Sequence, residues 1–164
     1  MLFMYKKIIH LNELDFVRER LPGRVVVTNG CFELLHLGHI KYLKEASELG
    51  VSLIVGVNSD SSIIQYKGRL RVPYDENYRA EMLAVLDFID YVVIFDDESA
   101  AKFIEIAMPD IYVKGGDYSI ETLNKDEKDV LDRCNASVKF IPFVKEFSTT
   151  KLIKDLIKLN YKSV

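Results

Sequence analysis

Short apolar runs rich in β-branched residues alternate along this chain with longer stretches whose apolar positions recur at helical spacing. Residues 8–21 read as a lead-in helix, with Leu11, Leu14, Phe16, Val17 and Leu21 on one apolar side and Pro22-Gly23 ending it. Residues 24–27 follow as a buried strand. Ile40, Leu43, Ala46 and Leu49 then mark a helix that stops at Gly50. Residues 51–57 are nearly all apolar, as a strand covered on both faces requires, and Asn58-Ser59-Asp60 close them with turn chemistry. Residues 61–73 read as an irregular loop carrying Lys67, Gly68, Arg69, Arg71 and Pro73. Asp75 is suited to cap a helix over 76–86, with Met82, Leu83, Val85 and Leu86 turned inward.

The second half repeats the alternation. Residues 91–95 form a strand, 99–107 a helix with Pro109 just beyond its end, and 111–114 a strand closed by Gly115-Gly116-Asp117. A polar helix over 123–133 leads into a strand at 138–141, and Ser148 caps an amphipathic helix over 149–159. Five strands alternating with helices predict an α/β fold: a Rossmann-like, doubly wound, five-stranded parallel sheet in a single domain spanning 1–164. The G-x-G-x-x-G fingerprint is absent, so nothing indicates a nicotinamide cofactor.

Composition narrows the function classes. A chain of 164 residues, 49% hydrophobic and 29% charged, suits one globular domain with a substantial core. A formal net charge of −3 argues against a general nucleic-acid binder, although Lys67, Arg69 and Arg71 are suited to a small polyanion. Two cysteines, Cys31 and Cys134, lack the spacing of a metal site or a disulfide framework. No apolar run approaches the roughly 20 residues of a membrane span, and the first seven residues lack a signal-peptide pattern, so the expected compartment is the cytoplasm.

The chemistry concentrates where the first strand turns into its helix, at Thr28-Asn29-Gly30-Cys31-Phe32-Glu33-Leu34-Leu35-His36-Leu37-Gly38-His39. Two imidazoles three residues apart at a helix start share one face of its first turn. Unpaired N–H groups and the positive end of the helix dipole lie there too, and suit an anion. Gly38 leaves room for a phosphate to approach. Ser148, Thr149 and Thr150 offer hydroxyls and free N–H groups at a second helix start, a seat for β- and γ-phosphates.

The block from Gly30 to Ile40 resembles the signature of the H-x-G-H nucleotidyltransferases, the cytidylyltransferase-like superfamily, and within it the heptose-1-phosphate adenylyltransferases. The resemblance continues through Val55-Gly56-Val57-Asn58-Ser59-Asp60, Lys67-Gly68, Arg79-Ala80, Val113-Lys114-Gly115-Gly116-Asp117-Tyr118 and Ser148-Thr149-Thr150, in the family's order. It implies that His36, His39 and Lys67 are catalytic, acting on the phosphates as the reaction proceeds. It implies that Asn29, Gly30, Cys31, Phe32, Gly38, Lys114, Gly115, Asp117, Ser148, Thr149 and Thr150 bind the nucleotide, with Asp117 accepting from ribose hydroxyls. Arg71 and Arg79 are implied contacts of the phosphorylated acceptor. Magnesium is expected with ATP, without a dedicated protein metal site.

The implied reaction joins ATP to a sugar 1-phosphate, heptose 1-phosphate foremost, giving ADP-heptose and pyrophosphate. Two alternatives stand beside it: a cytidylyltransferase for glycerol 3-phosphate or another polyol phosphate, and a nucleotide-binding module without catalysis. The resemblance further implies a homodimer. Relatives often carry a sugar kinase fused upstream, and since a chain of this length has no room for one, a separate kinase is expected to supply the sugar phosphate. Neither nucleic acid nor membrane is expected as a partner, on the charge and apolar pattern above. Two residues depart from the family pattern. Glu33 stands where relatives mostly carry Asp, and Glu146 stands just before the Ser-Thr-Thr turn where relatives often have glycine.

Overall fold

The computed structural model describes residues 7–68, 74–116, 118–142 and 149–160. Among these, six strands form one parallel sheet: β1 (Ile8–His10), β2 (Val25–Gly30), β3 (Ser52–Asn58), β4 (Tyr91–Phe95), β5 (Ile111–Gly115) and β6 (Ser137–Ile141), in the spatial order β1-β4-β3-β2-β5-β6. The helices are α1 (Leu14–Arg18), α2 (Leu37–Ser47), α3 (Asp60–Lys67), α4 (Glu76–Ala84), α5 (Ala101–Ala107), α6 (Lys125–Arg133) and α7 (Thr149–Asn160).

Period-two alternation sorts the strand residues between two cores. Val25 and Val27 of β2, Ile54 of β3, Val93 and Phe95 of β4 and Tyr112 of β5 face one core, together with residues of α1, α5 and α6. Val26, Leu53, Val55, Val57, Val92, Ile111 and Val113 face the other, with Tyr42, Leu43 and Ala46 of α2 and Ala80 and Leu83 of α4. The sheet is therefore covered on both sides, which explains the near-continuous apolar runs of its central strands. Each fully buried aliphatic side chain stabilises the fold by about 1.5–3 kcal/mol. Gly56 of β3 is needed for this packing, because a Cβ there would stand 2.6 Å from the Phe103 ring of α5.

The sheet has six strands rather than five. The extra one comes from the stretch expected to be a long lead-in helix: Ile8 and Ile9 pair in parallel register with Val92 and Val93 at the sheet edge. A 3-10 turn over Leu11–Glu13 follows, and the helix shrinks to α1. Two β-branched residues at the edge of an apolar sheet gain more from strand pairing than from one further helical turn. Phe16, expected inward, is exposed beneath the Arg20 guanidinium, 3.3 Å from its ring centroid.

The loop expected over 61–73 begins as α3. Ser59 caps this helix by accepting from the Ser62 N–H at 3.1 Å, and Gly68 ends it in the left-handed region at φ 78°. Only Ser62 and Ile63 of α3 are buried, so the sequence carries no helical apolar stripe there. Asp75 caps α4 as expected, accepting from the Tyr78 N–H at 2.8 Å. The helix stops at Ala84, however, and Val85 is exposed rather than inward.

What turns inward from α4 instead is Arg79, only 2% exposed. Its guanidinium donates to the Cys31 carbonyl at the end of β2, to the Asn58 carbonyl at the end of β3 at 2.8 Å, and to Asp60 Oδ1 at 2.7 Å. One side chain thus ties two strand ends and a helix start into a fixed spacing. Removing it takes the guanidinium donor from a partly buried carboxylate and from two partly buried carbonyls. Arg79→Met is expected to lower unfolding stability by about 3 kcal/mol, read as a shift of the urea midpoint at unchanged slope.

Candidate active site

The strand order reverses between β2 and β5. β2 leads through α2 to β3 on one side, while β5 lies on its other side. Open parallel sheets bind ligands at such a switch point, outside the carboxyl ends of the strands. A cleft of about 610 Å³ opens there. Its lining joins Asn29 and Gly30 from β2, Asn58 from β3 and Lys114 and Gly115 from β5 with the β2–α2 turn, the last turn of α3 and the first turn of α7.

The turn between β2 and α2 is built under backbone constraint. Phe32 is buried in the left-handed region at φ 45°, a conformation rare for a bulky residue. Gly30 accommodates its ring, since a Cβ there would come within 3.1 Å of it. His36 caps α2, its Nδ1 accepting from the His39 N–H at 3.3 Å. The two imidazoles stack with centroids 3.8 Å apart, and Phe32 meets His39 edge-on at 5.3 Å. Burial lowers the His36 pKa, and burial together with the His36 ring lowers that of His39 to about 4. Both rings are therefore neutral at pH 7 in the unliganded protein.

Two buried hydroxyls lock α2 to the sheet beneath the turn: Tyr42 bonds Thr28 of β2 and donates to the Val113 carbonyl of β5 at 3.1 Å. Opposite the histidine turn, Lys67 at the end of α3 donates to Glu33 Oε2 at 3.0 Å. Burial alone would depress the Lys67 pKa, but the neighbouring Cys31 sulfur and Glu33 carboxylate raise it, so the ammonium is retained. On the floor, Lys114 donates to Asn29 Oδ1 at 3.1 Å, to the Tyr112 hydroxyl at 2.9 Å and to Glu127 Oε2 at 3.0 Å.

Of the residues singled out in the sequence, Asn29, Gly30, Cys31, Phe32, His39, Lys67, Lys114, Gly115, Thr149 and Thr150 all border this one cleft. His36 does not line it, and stands behind His39 as cap and stacking partner. Gly38 is buried in the first turn of α2. Arg79 lies outside the lining, engaged with the two strand ends and Asp60 rather than presented to an acceptor. Arg71, Asp117 and Ser148, and also Glu146, lie outside the described residues.

Residues 27–155 match the family described as cytidylyltransferase-like. The chain belongs to the cytidylyltransferase-like family. Within similar proteins, it is 48% identical over 141 residues to the "Bifunctional protein HldE" of Citrifermentans bemidjiense, covering 85% of this chain and 28% of that protein. It is 43% identical over 151 residues to the protein of the same name from Campylobacter jejuni, covering 92% of this chain and 32% of that one. The chain therefore spans about a third or less of the length of these relatives. Among solved structures, the lipopolysaccharide core biosynthesis protein of Thermoplasma volcanium superposes with a TM-score of 0.60 at 29% identity, covering 74% of this chain and 97% of that one.

This cytidylyltransferase-like cleft also contains residues that sequence reasoning did not pick out: Tyr66 and Tyr118 at its mouth, Asn58 and Glu98 on its walls, and Glu127 on its floor. Glu127 had a legible signal. It sits in phase with Val130 and Leu131, at an apolar position of an otherwise polar helix, and is only 6% exposed.

Chemically, the cleft offers the His39 imidazole, held neutral by burial and by its stacking partner His36. Binding of pyrophosphate is thus expected to take up protons near pH 7, because the ligand raises imidazole pKa values that burial holds low. Affinity then falls as pH rises through the ligand-bound pKa values. Titration calorimetry in buffers of different ionisation heat measures the uptake. The His39→Ala protein is expected to lose most of it.

Proposed function

We propose that this protein transfers the adenylyl group of ATP to heptose 1-phosphate, giving ADP-heptose and pyrophosphate. A non-bridging oxygen of the sugar phosphate attacks the α-phosphorus and forms the new P–O bond. The bond from that phosphorus to the α–β bridging oxygen breaks, and pyrophosphate departs with the electron pair. Little covalent work falls to the protein, so its contribution is positioning and charge stabilisation.

The observation that carries this reading is the meeting of His39, Lys67, Lys114 and the Thr149-Thr150 helix start around one switch-point cleft, in a member of this family. In this reading His39, oriented and backed by His36, gains a proton as the triphosphate binds and meets charge developing on the leaving group. Lys67 contacts the phosphates from the opposite wall. Thr149 and Thr150, with Ser148, receive the β- and γ-phosphates at the α7 N-terminus, and Asp117 takes the ribose hydroxyls. The name of one solved neighbour, a lipopolysaccharide core biosynthesis protein, favours a sugar acceptor.

Magnesium fits this cleft as an ion carried mainly by triphosphate oxygens. The hard carboxylate oxygens of Glu98 on the cleft wall suit its outer coordination, and it would neutralise charge on the departing pyrophosphate. No helix among the described residues is long and apolar enough to cross a membrane. From the family resemblance we take a cytoplasmic homodimer, fed by a sugar kinase that makes the phosphorylated acceptor.

The test is pyrophosphate release measured with each nucleoside triphosphate against a panel of sugar and polyol phosphates. Turnover is expected with ATP and heptose 1-phosphate. His39→Ala is expected to lose at least ~100-fold in rate while keeping its circular dichroism spectrum. Turnover confined to CTP and a polyol phosphate would overturn the assignment.

A further inference from the structure

Among the described residues, two lysines and three glutamates border the cleft that is to hold the polyphosphate, and each of these lysines stands 3.0 Å from a glutamate. The two pairs differ. Lys114 and Glu127 are both buried and tied into Tyr112 and Asn29, a cross-link between β5 and α6. In the other pair the Glu33 carboxylate is 4% exposed while the Lys67 ammonium keeps 24% of its side-chain surface open to the cleft.

Glu33 follows directly on Phe32, whose left-handed backbone fixes where the next side chain leaves the chain. Lys67 is the last residue of α3, followed at once by a glycine turn, and its four-carbon stem would otherwise be free to swing into solvent. An ammonium has three donors, so it can stay on the carboxylate and still give an N–H to a phosphate oxygen. The carboxylate itself cannot leave, and it stays as a like charge close to any bound polyphosphate.

Resting on the transferase reading above, we propose that Glu33 is a positioning residue with two linked effects: it aims the Lys67 ammonium at the phosphates, and its own charge keeps the hold on pyrophosphate loose enough for product to leave. Through Lys67 it favours turnover. Through repulsion it opposes tight binding of the ground state and the product, which is the direction that raises kcat rather than lowering KM. The Glu33 carboxylate lies within hydrogen-bond distance of the Lys67 Nζ, and Asp is one methylene shorter.

The experiment compares wild type, Glu33→Gln, Glu33→Asp and the double variant Glu33→Gln/Lys67→Met. Calorimetry gives the Kd for inorganic pyrophosphate, steady-state assays give KM and kcat, and thermal unfolding checks each fold. Glu33→Gln keeps an acceptor for Lys67 and removes the charge. It is expected to bind pyrophosphate about tenfold tighter, with lower KM for ATP and lower kcat. Glu33→Asp keeps the charge but draws back from Lys67, so pyrophosphate affinity should stay within about twofold of wild type while kcat falls several-fold. The double variant should lose the gain in affinity.

A merely structural Glu33 would lower stability and move KM and kcat without this split. Pyrophosphate affinity unchanged or weakened in Glu33→Gln, or wild-type kcat in Glu33→Asp, overturns the proposal. Wild-type protein that binds neither pyrophosphate nor ATP sinks the transferase reading and this inference together. Wild-type binding with an indifferent Glu33→Gln sinks the inference alone.

Discussion

The geometry of the cleft rests on one guanidinium. Arg79 reaches from α4 to the main-chain ends of β2 and β3 and to the first residue of α3. Those three points carry the histidine turn, Asn58 and the helix that ends in Lys67. Parallel strands fix each other's registers, but their carboxyl ends fan apart with the sheet's twist, and nothing in the ladder sets the spacing beyond the last pair. A planar donor with several N–H groups in fixed directions does so where an ammonium or an apolar contact would not. Phe32 with its left-handed backbone and the stacked imidazoles sit on that frame.

Charge in the cleft is arranged as pairs rather than as a positive bowl. Lys67 and Lys114 each have a carboxylate 3.0 Å away, and burial holds the imidazole pKa values low.

Much of this was legible in the sequence, for physical reasons. Central strands of a doubly covered sheet must be apolar on both faces, so β2 to β5 announce themselves. The histidine turn is legible because its residues are contiguous. What stayed hidden was marginal or distant. The three residues of β1 are outvoted by the helical spacing around them, and α3 buries too little to show a stripe. Asn58 reaches the cleft only through topology, and the inward phase of Glu127 marks burial but not the cleft it borders. Arg79 was visible by position but not by role: its phase with Ala80 and Leu83 marks it as inward, whereas its type suggested a surface or substrate contact.

The switch point has a consequence for how the molecule comes into being. The histidine turn and Lys67 border the cleft from residues before position 70 while Lys114 comes from β5, and the Lys114–Asn29 bond closes a separation of 85 residues. Contacts of that sequence span form late and slowly, because chain entropy must be lost before they contribute. As the polypeptide leaves the ribosome, the β2–α2–β3 unit with its histidine turn is complete long before β5 exists. Until β5 has docked beside β2, the histidine turn therefore faces no floor and the cleft is incomplete.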